Sequence, residues 1–275
     1  MLSQKIGKFF QIVRQGGLGE AMAEAKTYLL YRRAINAHRK HLALQIASEH
    51  QWRVGYGPFA GMQISPVAWW DQTDLASKIL GFYELEVLNV LSQVDRSRYR
   101  YFVDLGAADG YYAIGALRAG IFQKAFCFEM SGHGREVIRA NAALNDVGES
   151  IAVFGYADQR FYESLPGVQL SAAVILIDIE GGEFNLLTDE LLVRLKDAML
   201  VIELHEFMGD DGAVKLQKLV DRLERVYRLR WLTTGARDLS DFESLGALND
   251  TDRWLLCSES RTQRMKWVVC EPLAA

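Results

Sequence analysis

From Tyr101 onward the apolar positions of the chain fall into a repeating order: a short continuous apolar run, a break of small or polar residues, then apolar residues at helical spacing. Runs such as YFVDL, KAFCFEM, SIAVFGYA, AAVILID and AMLVIELHE are short and β-forming, as strands buried on both faces read. Between them GREVIRANAALN, EFNLLTDELLVRLKD and GAVKLQKLVDRLERV carry a helical period. Strands that alternate with helices predict a parallel sheet covered on both faces. YRLRWLTT and RMKWVVCEP come last and are two further candidate strands.

Upstream the pattern differs. Leu18, Met22, Ala25 and Leu29, continued by Ile35, Leu42 and Ile46, place an apolar face on a mostly helical segment over residues 1–52. Arg32, Arg33, Arg39 and Lys40, with His38 and His41, put basic charge on that helix, which reads as a solvated face or as a membrane-surface or partner-docking face. In WRVGYGPFAGMQISP, Gly55, Gly57, Pro58 and Gly61 break the period and read as turns between short strands. TDLASKILGFYELEVLNVLSQV then returns to helical spacing through Leu75, Ile79, Phe82, Val87 and Leu91. The division expected is a helical extension (1–52), connecting strands and helix (53–98) and an α/β domain (99–275).

The first break in the alternation has chemical content. After Val103 the chain runs Asp104, Leu105, Gly106, Ala107, Ala108, Asp109, Gly110 into a helix at Tyr111. Gly106 and Gly110 remove the Cβ at two points, so backbone amides can approach a ligand. A dinucleotide site calls for Gly-x-Gly-x-x-Gly, and here Ala108 stands at the middle glycine while Asp109 would repel a pyrophosphate. That favours a cationic ligand without phosphate.

Composition narrows the field further. The 275 residues suffice for one sizeable core, and a net charge of −4 gives no basic footprint for nucleic acid. Cys127, Cys257 and Cys270 are widely spaced and odd in number, which reads as reduced thiols in a cytoplasmic protein. The N-terminal segment lacks the features of a signal peptide, and no apolar run approaches the length of a transmembrane helix.

FVDLGAADGYYAIG resembles the first motif of class I S-adenosylmethionine-dependent methyltransferases, and ILIDIEGGEFNLL with LVIELHE resembles their FkbM-type branch. The resemblance covers residues 74–270. It implies a Rossmann-like α/β fold with a mostly parallel seven-stranded sheet and an antiparallel C-terminal edge hairpin. It implies S-adenosylmethionine as cofactor and O-methylation of a carbohydrate or related small molecule. Two departures stand out: Asp109 replaces a small polar residue, and Glu129-Met130 stands where Glu-Pro is usual. Two other readings remain open, a cofactor-binding scaffold without turnover and an NAD(P)-dependent oxidoreductase.

Ligands of open parallel sheets bind beyond the carboxyl ends of the strands, which singles out Asp104, Glu129, Asp158, Asp178 and His205. Glu129 follows the glycine turn by about 20 residues, the spacing of a ribose-binding acid, and the resemblance implies that role. Gly106, Ala107 and Gly110 would line the methionine end with Asp104 at the base of the turn, and Asp158 would reach the adenine amino group. DIEGGE gathers Asp178, Glu180 and Glu183, acids that repel one another unless a cation or proton donor sits among them. Asp178 is assigned to both cofactor and catalysis. His205, assisted by Glu180 or Asp178, is the expected base for a hydroxyl proton. The spacing of these residues matches no metal signature, so no metal ligands are assigned. The polar stretch over 235–261, with Arg237, Asp252, Arg253 and Trp254, reads as an acceptor pocket or as plain surface. His133 reads as a helix-start residue or a border of the adenosine pocket, and Trp69 and Trp70 as core or lid.

Overall fold

The fold is that of a computed structural model, which describes residues 2–66, 74–208, 211–238, 240, 242–259, 261 and 263–273, with side chains from Gly17 onward except Glu20. Trp69 and Trp70 lie outside the described residues. Seven strands form one sheet: β1 (Tyr101–Leu105), β2 (Lys124–Phe128), β3 (Ile151–Phe154), β4 (Ala173–Ile177), β5 (Met199–Leu204), β6 (Tyr227–Thr233) and β7 (Lys266–Pro272). Their order is β3-β2-β1-β4-β5-β7-β6. The first five run parallel, and β7 pairs antiparallel with both β5 and β6. This is a Rossmann-like α/β arrangement, a mostly parallel seven-stranded sheet with an antiparallel edge pair.

Alternation along the strands divides the interior into two layers. Phe102 on β1, Val174 and Leu176 on β4 and Val201 on β5 face one side. Val103, Leu105, Ile175, Ile177, Leu200 and Ile202 face the other. Both faces are covered, as the continuous apolar runs require. The first layer is closed by the C-terminal part of α1 (Leu2–Glu49) through Leu42 and Ile46, by α2 (Leu75–Ile79), α3 (Leu85–Ser92) and α4 (Tyr111–Arg118), and by Ile138 and Ala142 of α5 (Gly132–Leu144). On the second layer lie α6 (Glu183–Leu186), α7 (Asp189–Leu195) and α8 (Gly212–Leu223); α9 (Asp250–Leu256) lies between the edge strands in sequence.

Several elements differ from the sequence pattern. Residues 53–65 hold a single antiparallel bridge, Arg53 with Gln63, in place of short strands. Asn145 fastens this segment by accepting from the Gln63 amide at 2.8 Å and donating to its carbonyl at 2.7 Å. The helix read over 73–94 is broken into α2 and α3 at Gly81, where φ is +76° and a Cβ would stand 2.0 Å from the Tyr56 carbonyl oxygen. Only glycine fits that approach. The helix read over 183–197 is likewise two, because Thr188 caps α7 by accepting the Leu191 amide and ends α6. The apolar face of α1 is divided: Leu42 and Ile46 are buried, but Leu18, Met22 and Leu29 are exposed. No described helix is long and apolar enough to cross a membrane.

Candidate active site

β1 is the switch point of the sheet, pairing with β2 on one side and β4 on the other, so a crevice opens beyond its carboxyl end. The turn after β1 is shaped by its neighbours. The amides of Gly106 and Ala107 both donate to the Phe128 carbonyl, at 2.9 and 3.1 Å. Gly106 has φ +91°, and a Cβ there would stand 1.8 Å from the carbonyl oxygen of Asp178. The glycine is thus required by the contact between the ends of β1 and β4, which brings DIEGGE beside the turn.

A cavity of about 880 Å³ lies here, walled by the turn, by Phe128 to Ser131, by Tyr156 and Ala157, and by the Asp178 to Gly182 loop. Asp104, Gly106, Ala107, Glu129, Asp178 and Glu180 all line it. Asp104 is buried, and its Oδ2 has no hydrogen-bond partner. Burial, reinforced by the charges of Asp178, Asp109 and Glu129, pushes its carboxyl well above the usual range. Glu129 is held by two backbone amides: Oε2 accepts from Ala108 at 3.1 Å and Oε1 from Ser131 at 2.7 Å. Its carboxylate is oriented before any ligand arrives.

Sequence reasoning overlooked Lys78. Its Nζ donates to Asp109 at 2.7 Å, stands 3.3 Å from Asp74 Oδ2, and lies 5.0 Å above the Tyr83 ring. The two carboxylates outweigh burial and raise its pKa. Asp109 was expected to draw a cationic ligand, yet its partner is this lysine of the chain itself. The signal was present in the sequence, since position 78 falls on the apolar face marked by Leu75, Ile79 and Phe82.

At the cavity wall the Asp178 and Glu180 carboxylates lead to a buried histidine. His205 Nε2 is 3.7 Å from Asp178 Oδ1, 3.5 Å from Glu180 Oε2 and 3.8 Å from Glu203 Oε2. Glu183 Oε1 accepts from the His205 amide at 2.8 Å and lies 3.3 Å from Nδ1. Burial pushes the imidazole pKa down, but the Glu183 hydrogen bond and the nearby carboxylates more than offset it, and the net shift is upward. Burial raises Asp178 to about 6 against the pull of His205. Burial and the Asp178 charge raise Glu203 well above the usual range. His205 does not line the cavity; Asp178 and Glu180 do. Asp178 and Glu180 thus stand between the cavity and the histidine expected to serve as base.

Other expected residues lie elsewhere. Asp158 is exposed and accepts from the Arg160 amide at 2.7 Å, and its neighbours Tyr156 and Ala157 face the cavity instead. Gly110 caps α4 with φ +80° and does not line the cavity. His133 is on the surface, 3.8 Å from Glu136. Arg237, considered above for sugar binding, is buried between Glu86 and Glu259 at 2.7 and 2.8 Å. Asp252 bonds His38 of α1 at 2.7 Å, Arg253 pairs with Asp250, and Trp254 is exposed. All three cysteines are free thiols, with Cys127 and Cys270 buried. As an expected outcome, Asp158→Ala changes affinity for an adenosyl ligand by less than about threefold, because a group tied into its own turn contributes little to a cavity it does not face. A tenfold loss in calorimetric titration would restore the adenine-contact role.

No family model matches the chain, and no curated protein matches it by sequence. Among solved structures, it is similar to a putative O-methyltransferase from Klebsiella pneumoniae, at 11% identity and TM-score 0.45, over 86% of this chain and 90% of that one. It is similar to an O-methyltransferase from Bacillus cereus in complex with SAH, at 11% identity and TM-score 0.43, over 85% and 90%. A putative precorrin-6Y C5,15-methyltransferase domain from Corynebacterium diphtheriae has 18% identity and TM-score 0.43, over 68% and 96%.

Proposed function

We propose that the chain is an S-adenosylmethionine-dependent methyltransferase acting on a hydroxyl of a carbohydrate or related small molecule. The observation that carries this reading is the charge of the cavity wall. Asp104, Asp109, Glu129, Asp178 and Glu180 face it, while Lys78 is its one described cationic residue and is already paired. Such a wall suits a ligand with a sulfonium and an ammonium group and opposes a pyrophosphate. The unpartnered Asp104 Oδ2 would accept from the ammonium group of the methionine tail, and Glu129 from ribose hydroxyls. The acceptor class follows from the resemblance of DIEGGE and LVIELHE to the FkbM-type branch.

When bound, the donor supplies a methyl group activated on sulfur: the carbon–sulfur bond breaks as the carbon–oxygen bond forms, and its electron pair returns to sulfur. The chain contributes orientation, holding the acceptor in line beside the Asp178 to Gly182 loop, and this near-attack placement supplies most of the rate. The hydroxyl proton passes to a carboxylate of the Asp178 and Glu180 pair, with His205 behind them. Calorimetric titration with S-adenosylmethionine, S-adenosylhomocysteine and NAD tests the reading. Saturable binding of the two adenosyl ligands without NAD is expected. Absence of heat and of thermal shift with both adenosyl ligands would overturn it.

A further inference from the structure

We propose that Asp178, Glu203 and His205, with Glu180 at the rim, form a binding site for a divalent metal ion in the wall of the cavity. One ligand atom from each of the three principal residues lies within 4.8 Å of the others. The site goes beyond the proposed methyl transfer, since its geometry does not depend on which ligand fills the cavity.

The contacts around His205 carry the inference. Glu183 Oε1 takes the Nδ1 side of the ring, 3.3 Å away, and also accepts the backbone amide of His205. That contact assigns the proton of a neutral imidazole to Nδ1 and leaves the Nε2 lone pair facing inward. Nε2 then looks at three carboxylate oxygens at 3.5, 3.7 and 3.8 Å. Those separations are at or beyond the outer limit for a hydrogen bond, so a proton on Nε2 would serve none of the three well. They are of the order expected between two ligands of one cation, because donor atoms about 2.1 Å from a metal stand about 3 to 3.5 Å apart.

Two further features support a cation at this place. The Asp178 Oδ1 that faces Nε2 is buried and makes no hydrogen bond. His205 and Glu203 are themselves 4% and 2% exposed, so the imidazole and one carboxylate meet where water screens them poorly, while Asp178 and Glu180 open onto the cavity. The surrounding contacts also aim the donors. Arg261 Nη1 holds Glu203 Oε1 at 2.7 Å, leaving Oε2 turned toward His205. A histidine fixed by a carboxylate at its far nitrogen is the usual support of a metal-bound imidazole. Several carboxylate oxygens and one imidazole nitrogen, with no thiolate, suit Mn2+ among first-row ions better than a soft metal.

The full chain, stripped with a chelator and dialysed, is titrated with Mn2+ while the paramagnetic signal of free Mn2+ is followed. Saturable loss of signal at one ion per chain is expected, with a melting temperature that rises with Mn2+ concentration. His205→Ala and Asp178→Asn should abolish the saturable phase. Glu183→Gln, a change in a positioning residue, should weaken it about tenfold to a hundredfold. Glu180→Gln is a safeguard against misfolding, because its side chain is 65% exposed, and should weaken binding several-fold while leaving the melting temperature of the metal-free protein unchanged. Unchanged Mn2+ signal with the unaltered chain, or Glu180→Gln and Glu183→Gln variants that bind Mn2+ as tightly as the unaltered chain, would overturn the site and leave the cluster held by a proton on His205. Adenosyl-ligand binding is measured on the same metal-free preparation, so failure of the metal site and failure of the methyltransferase reading are separate results.

Discussion

Asp104→Asn is expected to raise the melting temperature of the ligand-free protein while reducing its affinity for S-adenosylmethionine roughly tenfold to a hundredfold, the range of one hydrogen bond to a charged group. Asparagine keeps the shape of the side chain and removes the charge. In the folded protein Asp104 is buried, has one oxygen without a partner, and lies among the charges of Asp178, Asp109 and Glu129. Its folded pKa is raised above the unfolded value of 3.8. Between those two pKa values the folded chain binds a proton that the unfolded chain releases, so this residue makes stability fall as pH rises from about 4. The asparagine variant loses that contribution, and its stability should fall less steeply with pH over the same window. Thermal melts across pH, paired with calorimetric titration, check both halves. A variant less stable at neutral pH that binds the cofactor normally would show Asp104 to be a structural residue.

The second large effect is expected at Arg261, which joins three parts of the chain. Its guanidinium bonds Glu203 at 2.7 Å, Glu259 at 2.9 Å and Glu84, and Glu84 also accepts from the Tyr112 hydroxyl. Glu84 and Glu203 are 3% and 2% exposed. Arg261→Met keeps most of the side-chain bulk but leaves two buried carboxylates unpaired, a loss of about 3 to 5 kcal/mol. At about 2 to 4 °C per kcal/mol for a domain near this size, the melting temperature should drop by roughly 10 °C. Arg228→Met is the control, because Arg228 pairs with Glu271 at the surface and such pairs contribute about 0 to 1 kcal/mol. Equal losses in the two variants, measured by denaturant unfolding, would mean that the buried network carries no special weight.

Lys78 and Arg261 also mark where the reading of the sequence stopped. The glycine turn, Asp104, Glu129 and DIEGGE were legible because each is a local pattern, a strand end followed by small residues or clustered acids. A strand-end position does not say which way the next turn rotates, and at Asp158 the side chain closes on the Arg160 amide. Arg237 reads as a ligand-contact residue in a polar loop, yet its partners Glu86 and Glu259 lie 151 and 22 residues away.

The antiparallel edge was implied by the family resemblance, whereas the sequence pattern by itself determined the alternation of strands and helices, the parallel sheet and the end of the sheet to which a ligand is assigned. Those properties follow from short-range periodicity: apolar runs that must be buried on both faces and glycines at strand ends. Tertiary structure alone decided what the charged groups do. Lys78 reaches Asp109 across 31 residues, Arg261 reaches Glu203 across 58 and Glu84 across 177. A buried charge must find its partner wherever the packed chain brings one, and no local pattern records that distance.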